Sequence, residues 1–326
     1  MFQTDQATAA SSLPAPAAAG TPGYFTGGNP ASGVAATIVD ADWLNMVQQE
    51  LVNVATATGQ TLSKTTYNQV LLAIQALIAG RAPGVVGSMR NAQMSVATAS
   101  ATATFTADQI VVGTSLTGLQ YVLGSFSKTI NLATTGAGGM DTGSAPASGY
   151  VALYAIYNPT TGTSALLATN ATSSVAPNVY GGANMPSGYT ASALVSVWPT
   201  NSSGQFKVAN QIGNTVFFGG VLVLSVTATQ ASLTSFSIAG AVPQNAKSSV
   251  GSVNISASAA TSLSGAVATS SAGAASQTTQ IGGSSLSQLV SQFSIPILTA
   301  QTLYYLFTMA GGSSPALSIY ISSYSF

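Results

Sequence analysis

Gly149-Tyr-Val-Ala-Leu-Tyr-Ala-Ile-Tyr-Asn-Pro159 is the stretch on which the reading of this 326-residue chain turns. Pro146-Ala-Ser-Gly-Tyr150 leads into it, and Pro186-Ser-Gly-Tyr189 leads into a second apolar run. The runs end at Asn158-Pro159-Thr160 and at Trp198-Pro199-Thr200, 40 positions apart. Each copy reads as a turn opened by Pro and Gly, an apolar strand, and a Pro-Thr exit into a turn bearing Gly162 or Gly204. Proline has no N–H for a ladder and holds φ fixed, so it marks strand ends. Two copies are too few for a solenoid. They read as two related β-hairpin units inside one sandwich.

Outward from this pair the β signal continues in both directions. From Arg81 on, short runs rich in Val, Ile, Thr, Phe and Tyr alternate with Gly, Pro, Asn and Ser. Strands are expected near 103–112, 119–132, 150–157, 164–169, 192–198, 205–212, 215–227 and 231–239. Residues 244–285 are a low-complexity Ser/Ala/Gly/Thr stretch, either a long loop or strands built of small residues. Large side chains return at Phe293, Leu303 and Leu317, and the run from Leu317 alternates as a terminal strand should. Closely spaced strands without intervening helices predict a mainly β chain with an antiparallel, jelly-roll-like sandwich over 83–326.

The N-terminal part follows different periods. Residues 1–36 are rich in Ala, Pro, Gly, Ser and Thr, and read as an extended arm whose sizeable anchors are Tyr24 and Phe25. Residues 37–82 read as a helical hairpin. Asp40 is placed to cap a helix carrying Trp43, Val47, Leu51 and Val54 on one face, with Gly59 ending it. Ser63 is placed to cap a second helix, with Leu62 stapled on Tyr67, a stripe of Val70, Leu71, Ile74, Leu77 and Ile78, and a stop at Gly80. Two short helices bury too little to stand alone, so the stripes need the β domain or other copies of the chain. Trp43, Val47, Leu51, Val54, Val70, Ile74 and Leu77 are therefore expected at an oligomer interface.

Charge is scarce: 6 Lys/Arg and 6 Asp/Glu make 4% of the chain, against roughly 25% in an ordinary soluble domain. Zero net charge argues against electrostatic capture of nucleic acid. No apolar run approaches the ~18 residues of a membrane helix, and the first residues do not form a secretory signal. Without His or Cys, a Ser-His-Asp or Cys-His triad is impossible, and no metal site or cofactor is expected. Asp141-Thr142-Gly143 matches the aspartic-protease triplet, but that chemistry needs two facing copies; in Gly136-Ala-Gly-Gly-Met-Asp-Thr-Gly143 the Asp reads as a turn former. An enzyme is not expected. What remains is a neutral surface of Tyr, Asn, Ser, Thr and Gly suited to adaptable polar recognition. Tyr180, Asn184 and Tyr189 are the candidate ligand-binding residues, with Gly181-Gly182 allowing close backbone approach.

Gly23-Tyr-Phe-Thr-Gly-Gly-Asn-Pro30, Ala36-Thr-Ile-Val-Asp-Ala-Asp-Trp-Leu-Asn45, Gln48-Gln-Glu-Leu51 and Gly59-Gln-Thr-Leu-Ser63 resemble the N-terminal segment of bacteriophage tail-fibre proteins. Gly139-Met-Asp-Thr-Gly143, Ala152-Leu-Tyr-Ala-Ile-Tyr-Asn-Pro159 and Tyr180-Gly-Gly-Ala-Asn-Met-Pro-Ser-Gly-Tyr189 are similar to the β-region of such fibres. The likeness spans roughly residues 23–206. It implies a virion component made in the host cytoplasm, a homotrimer fixed to tail or baseplate proteins through its arm. Such a fibre contacts a bacterial surface glycan or outer-membrane receptor, and the resemblance brings no catalytic residues. A purely structural tail component would share this composition without receptor affinity. An outer-membrane barrel would also have alternating strands and few charges, but the helical hairpin argues against it.

Overall fold

A computed structural model describes residues 2–79 and 84–326, which divide into a helical unit, Met1–Ala82, and a β unit, Pro83–Phe326. In the helical unit Asp40 Oδ1 accepts the Trp43 N–H at 2.8 Å and starts α1 (Ala41–Thr56), as the capping pattern requires. The second helix differs from its expected start. α2 is Gln69–Ala79, so Ser63 is not its cap. Ser63 Oγ instead accepts the Thr65 N–H, and the Gln69 amide ties the connection down by accepting from Ser63 N and donating to the Thr61 carbonyl. Tyr67 is 96% exposed, so the expected staple on Leu62 does not form. The predicted stop at Gly80 lies outside the described residues.

The arm has no strand or α-helix among its described residues and is exposed almost throughout. It runs against the helices: Thr4 N donates to Gln48 Oε1, Ala17 N to Asp42 Oδ2, and Lys64 pairs with Asp5 at 2.6 Å. These are surface contacts, each worth little.

The chain is mainly β. The β unit is built from β1 (Met89–Arg90), β2 (Gln93–Val96), β3 (Thr102–Gly113), β4 (Gln120–Asn131), β5 (Tyr150–Asn158), β6 (Thr163–Asn170) and β7 (Ala191–Pro199). It continues through β8 (Ala209–Ile212), β9 (Thr215–Val226), β10 (Gln230–Ser237), β11 (Ser248–Ala268), β12 (Gln277–Pro296), β13 (Thr302–Ala310) and β14 (Ser313–Ser325). All fourteen belong to one hydrogen-bonded network whose main path runs β10-β13-β11-β14-β9-β8-β2-β3-β7-β5-β6, with antiparallel pairings between the named strands.

One cross-strand row shows how the core is laid down. Phe105, Met94, Gln211, Val216, Tyr324, Ser249 and Ile295 are successive register partners across seven strands, and each is at most 2% exposed. Because side chains alternate along a strand, one buried row fixes the inward face for the whole section.

The low-complexity region is strand. β11 pairs with β14 over its first half and with β13 over its second, and the register shifts between Ser256 and Ser262. Ala259 there has φ +56°, in the left-handed region. The hairpin of β11 and β12 bends at this corner, and its halves face each other. A Cβ on Gly265 would lie 2.7 Å from Ile255 Cγ2 and 3.1 Å from Leu317 Cδ1. Gln277, at the start of β12, donates to the Ser294 carbonyl at 2.7 Å and accepts from its N–H at 3.1 Å. Strands that turn a corner to enter the opposite layer make this a sandwich of the expected class.

The two sequence copies lie side by side. β5 and β7 pair antiparallel, Val151 opposite Trp198 and Tyr157 opposite Ala191, and both strands are buried on both faces. Val151, Leu153 and Ala155 enter the main core, while Tyr150, Ala152, Tyr154 and Ile156 enter a second one. Only the first copy continues as a hairpin, into β6. The second leaves Pro199 for a turn bridged at Thr200 and Phe206.

Candidate functional site

The second core needs a cover, and residues 171–190 supply it. Between β6 and β7 this segment lays Ala171, Ala176, Tyr180, Met185 and Tyr189 over the outer face of β5 and β7. Apolar area on that face would otherwise meet water, so the loop is held by burial and by specific bonds. Tyr154 stacks edge-on against Tyr180, centroids 5.6 Å apart, and its hydroxyl donates to the Pro177 carbonyl at 2.9 Å. Asn245 holds Ala176 as a strand would, donating to its carbonyl at 2.8 Å and accepting its N–H at 2.9 Å.

Of the three expected ligand-binding residues, the structure buries one and leaves two toward solvent. Tyr180 is 9% exposed. Its hydroxyl donates to Asp141 Oδ2 at 3.0 Å and accepts the Asn184 N–H at 3.1 Å, while its own N–H goes to Ser192 Oγ. Asn184 is exposed and Tyr189 half-buried. The three do share one loop, with Tyr180 as its pin. Gly182 serves the same pin, because a Cβ there would overlap the Tyr180 phenol. The close approach expected of Gly181-Gly182 is thus made by the chain's own ring. Burial pushes the Tyr180 phenol above its ordinary pKa, and the Asp141 carboxylate adds to this while the Asn184 N–H works against it.

Asp141 has both carboxylate oxygens engaged, Oδ2 by Tyr180 and Oδ1 by the Thr142 N–H at 2.8 Å. Its backbone N–H donates to Ala168 on β6. The Asp-Thr-Gly triplet therefore works here as a turn that fastens a loop. Nothing local in the sequence signals a pairing with Tyr180, 39 residues away. The same holds for Asn245, 69 residues from Ala176.

A cleft of about 590 Å³ opens beside the loop, between residues 85–88, 175–178, Leu194, Asn214, Asn245 and Phe326, with Lys247 as its basic side chain. Val85 and Val175 on its walls are 76% and 56% exposed.

In the helical unit, Val47, Leu51, Val54 and Val70 are half-buried, whereas Trp43, Ile74 and Leu77 are 40%, 44% and 37% exposed. Tyr24 is 99% exposed, and Phe25 packs edge-on against Trp43 with centroids 5.1 Å apart. Both expected anchors are exposed, Tyr24 fully and Phe25 by about half.

No protein-family profile matches the chain. Over 57 residues it is 44% identical to Uncharacterized protein StfP of Escherichia coli strain K12, a match covering 18% of this chain and 27% of that protein. The chain thus spans about a quarter of that relative's length. Among solved structures, arabinose-bound MgGH51 α-L-arabinofuranosidase is 12% identical, covering 35% of this chain and 19% of that one, with a TM-score of 0.18. A Bacillus thuringiensis Cry1Da tryptic core variant is 8% identical over 76% of this chain and 54% of its own, with a TM-score of 0.20. The T13 IBDV viral particle is 10% identical over 86% and 81%, with a TM-score of 0.19. Scores this low carry no argument about fold or activity.

Proposed function

We propose that the chain is a bacteriophage tail-fibre protein, fixed to tail or baseplate proteins through its N-terminal arm and meeting the bacterial surface with its β unit. The observation that carries this reading is the string of spaced matches over residues 23–63, from Gly23-Tyr-Phe-Thr-Gly-Gly-Asn-Pro30 to Gly59-Gln-Thr-Leu-Ser63. Partial identity to the StfP protein and a mainly β unit almost devoid of charge support it. In this reading the protein belongs to the virion and works by adhesion.

The test is adsorption blocking. Purified full-length protein added in excess should slow phage adsorption to the host. A Tyr180→Ala variant that is folded but loosened at 171–190 reports whether that loop takes part. Absence of blocking by the folded wild type would favour a purely structural tail component, the reading that the internal use of the Tyr180 hydroxyl supports for this loop.

A further inference from the structure

Four tyrosines of the β unit have their hydroxyls tied down inside it. Tyr150, Tyr154, Tyr180 and Tyr324 are buried, and each hydroxyl donates to a partner within the chain. Tyr320 is different. It lies on β14 between Ile319 and Ile321, both fully buried, so alternation turns its half-exposed ring to the opposite, outer face. Among the described residues its hydroxyl makes no hydrogen bond.

Its surroundings follow from the register. Leu222, Tyr320, Ser252 and Gln292 form one row across β9, β14, β11 and β12. The next outward row is Ser225, Ser318, Asn254 and Val290. Gln288 donates to Asn254 Oδ1 at 3.0 Å, which fixes two amides on the same face. A Cβ at Gly220 would sit 3.7 Å from Tyr320 Cβ, so the missing side chain leaves that flank of the ring open, and Ser252 is small on the other flank. None of these four strands contains Asp, Glu, Lys or Arg.

We propose that this outer face, centred on Tyr320, binds a neutral polysaccharide chain. A flat, partly exposed ring takes the apolar face of a sugar, and the flanking amides and hydroxyls both donate and accept, as sugar hydroxyls do. The absence of charge matches an uncharged ligand. A second copy of the chain fits the surface less well. Protein interfaces have apolar cores and are depleted in Ser, whereas here Ser225, Ser252, Ser318, Asn254, Gln288 and Gln292 outnumber the two exposed aliphatic side chains, Leu222 and Val290. The proposal rests on the reading that the β unit meets the host surface, and it names the ligand class for that contact.

The full-length protein should be titrated calorimetrically with neutral oligosaccharides, namely maltohexaose, cellohexaose and chitohexaose, with heparin as an anionic control. At least one neutral probe should bind. Tyr320→Ala should weaken it about tenfold, the loss expected for one stacked ring. Tyr320→Phe should retain binding, and thermal unfolding would confirm that both variants are folded. No neutral binding, equal binding by folded Tyr320→Ala, or binding of heparin alone overturns the proposal. So does a change of oligomeric state in Tyr320→Ala, which would make the face an interface between copies. Adsorption blocking separates this proposal from the broader one. If wild type and Tyr320→Ala block equally, host contact stands and this face falls. If sugar binding needs Tyr320 but nothing blocks adsorption, the face stands and the adhesive role falls.

Discussion

A chain with no histidine and so few carboxylates concentrates its pH response in its phenols. Burial raises the pKa of Tyr150, Tyr154 and Tyr324 above the ordinary value of 10.0, and the nearby Tyr180 phenol and Asp141 carboxylate add to the effect at Tyr154. The sign is set by proton binding. Below pH 10 both folded and unfolded chains hold these protons, and stability does not depend on them. Above it the unfolded chain releases protons that the folded chain keeps, so stability falls as pH rises. The expected outcome is a melting temperature that is flat through neutral pH and drops beyond about pH 10, each buried phenol contributing up to about 1.4 kcal/mol per pH unit. Tyr154→Phe should lower stability at neutral pH by about 1 kcal/mol for the lost bond to Pro177 and make the alkaline fall shallower. Thermal unfolding followed from pH 6 to 11 checks both, and an unchanged alkaline slope in Tyr154→Phe would refute the assignment. Residues of this kind were poorly legible in advance. Tyr180 reads as a ligand contact because Gly181, Gly182 and Asn184 follow it, and its true partners come from far along the chain, Asp141 from the turn between β4 and β5 and Tyr154 from β5.

Among the elements, legibility tracked side-chain size. β5 and β7 were plain because a strand buried on both faces reads as a long apolar run bounded by Pro and Gly. β11 is ambiguous in sequence because its second half is mostly Ser, Ala and Gly, with Leu263 and Val267 as its larger apolar side chains. The physical reason is the corner: where the hairpin of β11 and β12 folds onto itself, Gly265 meets Ile255 and Leu317, and a larger residue has no room. At Ser63 a hydroxyl followed by an apolar stripe fits a cap, yet its Oγ closes a local turn on the Thr65 N–H, the Gln69 amide holds Ser63 N and the Thr61 carbonyl, and the helix starts only at Gln69. The corner gives a direct test. Gly265→Val should destabilise the β unit by roughly 1–3 kcal/mol through overpacking. Gly282→Ala, in the same hairpin with nothing within 4 Å of its added Cβ, should be near neutral. Chemical denaturation of the two variants decides it, and equal stability would mean that the halves of the hairpin do not pack as described.

The molecule as a whole is unevenly provided with core. The β unit has large buried clusters of its own, whereas the described residues of the helical unit bury only Val52, Ala55 and Ala73 among their apolar side chains. Meanwhile Leu71, Leu72, Ile74, Leu77 and Ile78 on α2, and Trp43, Leu44 and Met46 on α1, are all at least 37% exposed. Helices this short do not persist in water on propensity alone, and so small a core cannot hold them. Copies of the same hairpin would cover these faces, in keeping with the homotrimer that the resemblance to tail fibres implies. Helix content should therefore depend on protein concentration while the β signal does not, because assembly stabilises by mass action only the part that assembly completes. Sedimentation at micromolar concentration should give a trimer, little changed between low and high salt because the contact surfaces carry almost no charge. Ile74→Asp with Leu77→Asp should shift the protein to monomer and remove the helical circular-dichroism signal, leaving the β unit folded. A monomer at micromolar concentration that keeps its helices would end the trimer proposal.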